Sequence, residues 1–140
     1  MPKVKVTTSK GLVQETGSGP TALDSGASIG AQAIAATGAN INNCTQIVSS
    51  DGGLVLVSGA DGTKAVKLPA LADVPAGTMF YILNLNGSNA LEVFPGVAGD
   101  QIHPAADGAA ITVAADGMLI CVADAAGVLW ASAEPAATGA

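Results

Sequence analysis

From about residue 41 onward the chain runs in short apolar or alternating segments separated by turn-forming residues, the pattern of a small all-β domain. The segments predict strands at 45–49, 54–58, 64–68, 78–84, 90–94, 110–114, 118–123 and 128–132. Between them stand Asp51-Gly52, Asp61-Gly62, Asn86-Gly87, Asp107-Gly108 and Asp116-Gly117. Asp and Asn tolerate left-handed backbone angles and Gly adopts them without penalty, so each pair favours a tight hairpin. The expected architecture is a small antiparallel β-sandwich or β-barrel, jelly-roll-like or β-tulip-like.

One run stands apart. In Met79-Phe80-Tyr81-Ile82-Leu83 both faces are apolar, whereas in Ala90-Leu91-Glu92-Val93 the charged residue points away from the Leu and Val face. The first strand therefore needs cover on both sides. With no helix in the pattern to supply it, a second sheet on one side and a neighbouring subunit on the other is the expected solution. Pro69 and Pro75 bracket a loop, because proline lacks the amide hydrogen of a central strand, and Pro95 ends the strand before it.

Residues 1–38 are rich in Gly, Ser, Thr and Ala and hold no sustained period, which reads as an extended N-terminal arm. A short helical turn at 31–36 is the one element expected there, cut short by Gly30 and Gly38. The body then spans 39–134, and 135–140 form a C-terminal tail.

Composition adds a need for partners. Of the 140 residues 49% are apolar, yet the aromatics are only Phe80, Tyr81, Phe94 and Trp130, so the core is built from small side chains. Only 11% are charged, too few to coat a monomer in the ordinary way, and burial of apolar surface against other subunits is expected. The formal net charge is −6 and there is no arginine, which excludes a nucleic-acid binder that must neutralise phosphates. Lys3, Lys5 and Lys10 make the start locally basic, suited to a solvated tail or to an arm docking on an acidic surface. The alternating start is expected to be neither signal peptide nor membrane anchor, and the apolar stretch 111–130 is broken by Asp116, Gly117, Asp124 and Gly127. No membrane partner is expected.

Candidate chemistry is sparse. His103 precedes Pro104 without a nucleophile motif beside it, so it reads as a loop residue rather than a catalytic base. Cys44 and Cys121 belong to no CxxC pair and read as buried thiols; a bridge between them is not expected in a reducing cytosol. The turn carboxylates match no EF-hand or calcium repeat, and the glycines form no phosphate-binding loop. Neither catalysis nor a metal or cofactor is expected.

Val66-Lys67-Leu68-Pro69-Ala70 is followed by Ala76-Gly77-Thr78-Met79-Phe80-Tyr81-Ile82-Leu83-Asn84 and by Asn89-Ala90-Leu91-Glu92-Val93-Phe94-Pro95. Gly99-Asp100-Gln101-Ile102 and Ile111-Thr112-Val113-Ala114-Ala115 complete the series. In their order these blocks resemble a β module of tailed-phage structural proteins, including head decoration (cement) proteins and some fibre components, over about two thirds of the chain. The resemblance implies a virion protein, made in the host cytoplasm, that binds the major capsid protein on the outer surface of the assembled head as a homotrimer and stabilises it. Val4, Val6, Leu12 and Val13 are then the candidate capsid contacts in the arm, and Phe80, Ile82 and Trp130 the candidate trimer contacts. Ala115-Asp116-Gly117 departs from the plain Ala-Gly turn expected there. A tail-fibre or receptor-binding module is the alternative; a hydrolase of cell-wall sugar would have only Glu92 or a turn Asp to work with.

Overall fold

The computed structural model describes residues 3–7, 11–16, 22–23, 26–27, 30–51, 53–124, 127 and 129–133, with side chains from residue 30 onward. The chain divides into two compact units, 1–30 and 31–140. In the first, β1 (Lys3–Thr7) pairs antiparallel with β2 (Gly11–Thr16), setting Val6 opposite Leu12 and Lys5 opposite Val13. Likewise β3 (Ala22–Leu23) pairs with β4 (Gly26–Ala27). The segment expected as a plain extended arm contains these paired strands.

The second unit opens with β5 (Ala31–Ala35), where the sequence pattern suggested a helical turn. Helix propensity favours Ala, but tertiary pairing overrides it. Gln32 and Ile34 take the inward register positions opposite Val55 and Val57, and the three alanines alternate outward. The chain then crosses to β6 (Thr45–Gln46), returns to β7 (Leu54–Ser58), crosses to β8 (Ala65–Lys67), returns to β9 (Met79–Asn84) and crosses to β10 (Leu91–Phe94). β5, β7 and β9 lie parallel in one sheet, and β6, β8 and β10 lie parallel in the other.

The remaining strands close the coil. β11 (Gln101–Ile102), β12 (Ile111–Val113), β13 (Met118–Ala123) and β14 (Leu129–Ala133) complete a six-stranded sheet of order β11-β14-β13-β9-β7-β5 and a four-stranded sheet of order β12-β10-β8-β6. β12 pairs antiparallel with β10, and β13 antiparallel with β9 and β14, while β11 pairs parallel with β14.

The chain is thus all-β, as the pattern predicts, but it stacks in the manner of a solenoid rather than as a hairpin-built sandwich or barrel. The expectation of antiparallel hairpins is corrected at the turn pairs. Asp61-Gly62, Asn86-Gly87 and Asp116-Gly117 do turn the chain, with Gly62 at φ 85° and Asp116 at φ 53°. Each, however, hands the chain to the opposite sheet, so the neighbour of β7 or β9 is a strand two elements away. Parallel strands need such crossovers, and β7 and β9 carry the continuous apolar runs common in parallel sheets.

The core lies between the sheets. Val55 and Val57 of β7, Phe80 and Ile82 of β9, and Leu119 and Cys121 of β13 face Val66, Leu91, Val93 and Val113 of the smaller sheet, all buried. Trp130 of β14 meets Phe80 across β13, ring centroids 5.8 Å apart and tilted by 55°. The intervening inward residues Cys121 and Ala123 are small enough to let the rings touch. Between Pro69 and Pro75 the chain makes a single 3₁₀ turn, Leu71–Asp73, whose Leu71 amide donates to Asp100 Oδ2 at 2.9 Å. Gly96 packs so closely on this segment that a Cβ there would stand 2.3 Å from the Ala70 nitrogen.

Candidate interaction surface

The two sheets differ on their outer faces. On the four-stranded sheet the outward positions include Lys67, Glu92 and the half-buried Phe94, and Thr112 Oγ1 donates to Glu92 Oε1 at 2.8 Å; this is a mixed face that carries charge. Among the described residues Lys67 and Glu92 are the only charged ones in the strands of the second unit. Every acidic or basic group elsewhere in its described part sits in a turn or loop.

The outer face of the six-stranded sheet carries no charge among the described residues. Its register sets Leu54 beside Tyr81 and Leu56 beside Leu83 across β7 and β9, then Tyr81 beside Ile120 and Met79 beside Val122 across β9 and β13. The alanines of β5 and of β14 extend the same face at either side, Ala33 opposite Leu56 and Ala131 opposite Val122. Met79 is 41% exposed, and Leu54, Tyr81, Leu83 and Ile120 are half-buried. A charge-free face five strands wide on a chain of net charge −6 is the feature that calls for a partner.

No family model, curated protein or solved structure matches this chain.

The candidate trimer contacts need correction. Phe80, Ile82 and Trp130 are 1%, 0% and 0% exposed, so they fill the core and offer nothing to a second chain. Where both faces of a strand are apolar, alternation alone does not say which one turns inward. Their outward neighbours Met79, Tyr81 and Leu83 are the residues on the surface. The arm contacts Val4, Val6, Leu12 and Val13 lie on β1 and β2, and their side chains fall outside the described residues, as does the tail 135–140.

The groups singled out for chemistry are dispersed. His103 is exposed; its amide donates to the Trp130 carbonyl at 2.9 Å, and Ser132 Oγ donates to the His103 carbonyl. The serine thus meets the backbone of His103, not an imidazole nitrogen. Among the described residues no group of three His, Cys, Asp or Glu side chains is placed to hold a metal, and no helix is long and apolar enough to cross a membrane. Asp61 is pulled down, to about 2, by hydrogen bonds from the Thr63 hydroxyl and amide and from Lys64. It organises its own turn, accepting from Thr63 Oγ1 at 2.8 Å and lying 3.2 Å from Lys64 Nζ.

Cys44 and Cys121 are both free and buried. Burial raises the Cys44 thiol, with Lys67 opposing, and pushes the Cys121 thiol up to about 12. A thiol held protonated and out of solvent is inert. With Cys44 replaced by Ser, the remaining thiol is expected to be silent toward a coloured disulfide reagent in the native chain and to react fully in denaturant. Rapid reaction in the native chain would contradict the burial of β13.

Proposed function

We propose that the chain is a phage head decoration protein. It binds the major capsid protein on the outer surface of an assembled head as a homotrimer and stabilises the shell without catalysing a reaction. The order of the sequence blocks suggests the family, and the observation that carries the reading is the charge-free outer face of the six-stranded sheet, on a body whose other sheet carries Lys67 and Glu92. Such a face suits a protein that works in assembled form. Several copies, each contributing modest contacts, bind a repetitive shell far more tightly than one copy does.

A phage tail-fibre module is the second reading, favoured by the solenoid-like parallel stacking of β5, β7 and β9. Glycan-binding fibres rely on exposed aromatic platforms. Here Phe80 and Trp130 are spent in the core, and Tyr81 and Phe94 lie on opposite sheets, which weighs for decoration.

Co-sedimentation with empty heads of the phage that encodes the chain tests the proposal. The chain is expected to pellet with the heads and to raise the temperature at which they break. Deletion of residues 1–15 is expected to weaken retention. Binding to host cells with none to heads would overturn decoration in favour of the fibre.

A further inference from the structure

We infer that the outer face of the six-stranded sheet is the surface by which copies of this chain pack on one another, centred on Leu56, Tyr81, Leu83 and Ile120. This goes beyond the capsid reading, because it concerns only contact between copies and holds whatever the assembled form binds.

Three observations carry it. The first is size. Five strands about 4.8 Å apart, five or six residues long at roughly 3.4 Å per residue, mark out about 450 Å² of uncharged surface. Two such faces together bury about 900 Å², close to the extent of about 1,000 Å² at which specific protein contacts begin.

The second is charge. At a net charge of −6 two copies repel each other over most of their surface. The described carboxylates of the second unit lie in turns at the strand ends or, for Glu92, on the other sheet. The outer face of the larger sheet is where like-charged copies approach with least repulsion. A basic or acidic partner would find nothing there to pair with, whereas an identical neutral face fits.

The third is shape. Small alanines at the two sides and larger Leu, Tyr and Ile at the centre give a raised apolar stripe along β7, β9 and β13. Sheets with such faces, two in a dimer or three around a common axis, pack with their side chains interleaved, as the inner faces of layered β folds do. The parallel strands β7 and β9 thereby gain the cover on both sides that parallel sheets usually have.

The test is the solution mass of the full chain by sedimentation equilibrium at micromolar concentration. The wild type is expected at two or three times the 13.5 kDa chain mass. Tyr81→Glu and, separately, Leu56→Lys are expected to shift association to roughly tenfold higher concentration or more, since each buries an unpaired charge at the contact. Glu92→Lys, on the other sheet, is expected to leave the mass unchanged. Circular dichroism confirms that each variant is folded, and only folded variants are compared.

A monomeric wild type overturns the inference, as do folded variants on both strands that keep the wild-type mass. Deletion of residues 1–30 is a further arm: if that deletion alone turns a monomer into an oligomer, the chain's own first unit is the occupant, and the inference fails for the intact protein. A dimer supports this inference while contradicting a trimeric decoration protein. A trimer that ignores heads supports it while sinking the capsid partner.

Discussion

Trp130→Ala is expected to destabilise the chain by about 3–5 kcal/mol, the usual range for emptying a large aromatic site in a packed core. For a domain of this size that is a large part of the total stability, so the variant is expected to melt far below the wild type or not to fold at all. The expectation rests on position. Trp130 is fully buried on β14 and meets Phe80 over the small residues of β13, so its removal leaves a cavity bounded by three strands that backbone pairing holds apart. Collapse into that space would break the pairing of β14 with β13 and with β11. Trp130 Nε1 is the one fully buried side-chain polar atom without a hydrogen-bond partner among the described residues. Trp130→Phe therefore loses ring volume but no hydrogen bond, and is expected to lose less than half as much as the alanine variant. Chemical denaturation of the three proteins measures both differences; an alanine variant within about 1 kcal/mol of wild type would mean that the ring is not in the core.

The second large effect is expected at Asn84, a fully buried polar side chain at the end of β9. Its Nδ2 donates to the Asn89 carbonyl at 2.8 Å and the Ala114 carbonyl at 3.0 Å, and its Oδ1 accepts from the Asn86 amide at 3.1 Å. One side chain thus ties the crossover from β9 to β10 to the end of β12. Asn86 continues the knot, donating to the Ala60 carbonyl at 2.7 Å and accepting from the Ser88 and Asn89 amides at 2.8 Å. Asn84→Ala removes the donor to the Asn89 carbonyl and the acceptor of the Asn86 amide, while the Ala114 carbonyl keeps the Gly117 amide at 3.0 Å, and is expected to cost about 2 kcal/mol.

Asn84→Asp is expected to be worse at neutral pH, because a carboxylate cannot donate to the two carbonyls and is desolvated beside them. Both effects favour the protonated acid in the folded state, so its folded pKa lies above the unfolded value of about 3.9. The ionisation penalty is therefore absent below the unfolded value, grows as pH rises above it, and is complete once the folded pKa is passed. Denaturation across acidic to neutral pH, against the pH-insensitive Asn84→Ala as reference, measures this. A penalty for Asn84→Asp that does not grow with pH would contradict the buried position of the side chain.

The strands of the body were legible because their signal is local. The runs at 54–58 and 118–123 coincide with β7 and β13, and β9 falls within 78–84. Connectivity was not legible in the same way. An Asp-Gly pair encodes left-handed backbone angles, and these serve a corner between two sheets as well as a hairpin within one. β5 was hidden by alanines whose local preference is helical, and β11 by being two residues long. The clearest sequence signal of function, apolar residues on both faces of the Met79 strand, located the surface but not its side. Only the packing of Phe80 on Trp130 shows that the even-numbered residues turn inward and leave Met79, Tyr81 and Leu83 outside. The segregation of charge has no local sequence signature either, since it appears only once Lys67 and Glu92 fall on one sheet.

We propose a scaffold that coats a larger particle and meets its own copies through an apolar sheet. An electron cryo-microscopy map of phage heads saturated with the chain tests it most directly. The expected map shows groups of three copies on the outer shell, with the Tyr81 faces of their six-stranded sheets turned toward one another and closed to solvent. Bare shells, or bound copies with that face open to solvent, would contradict it.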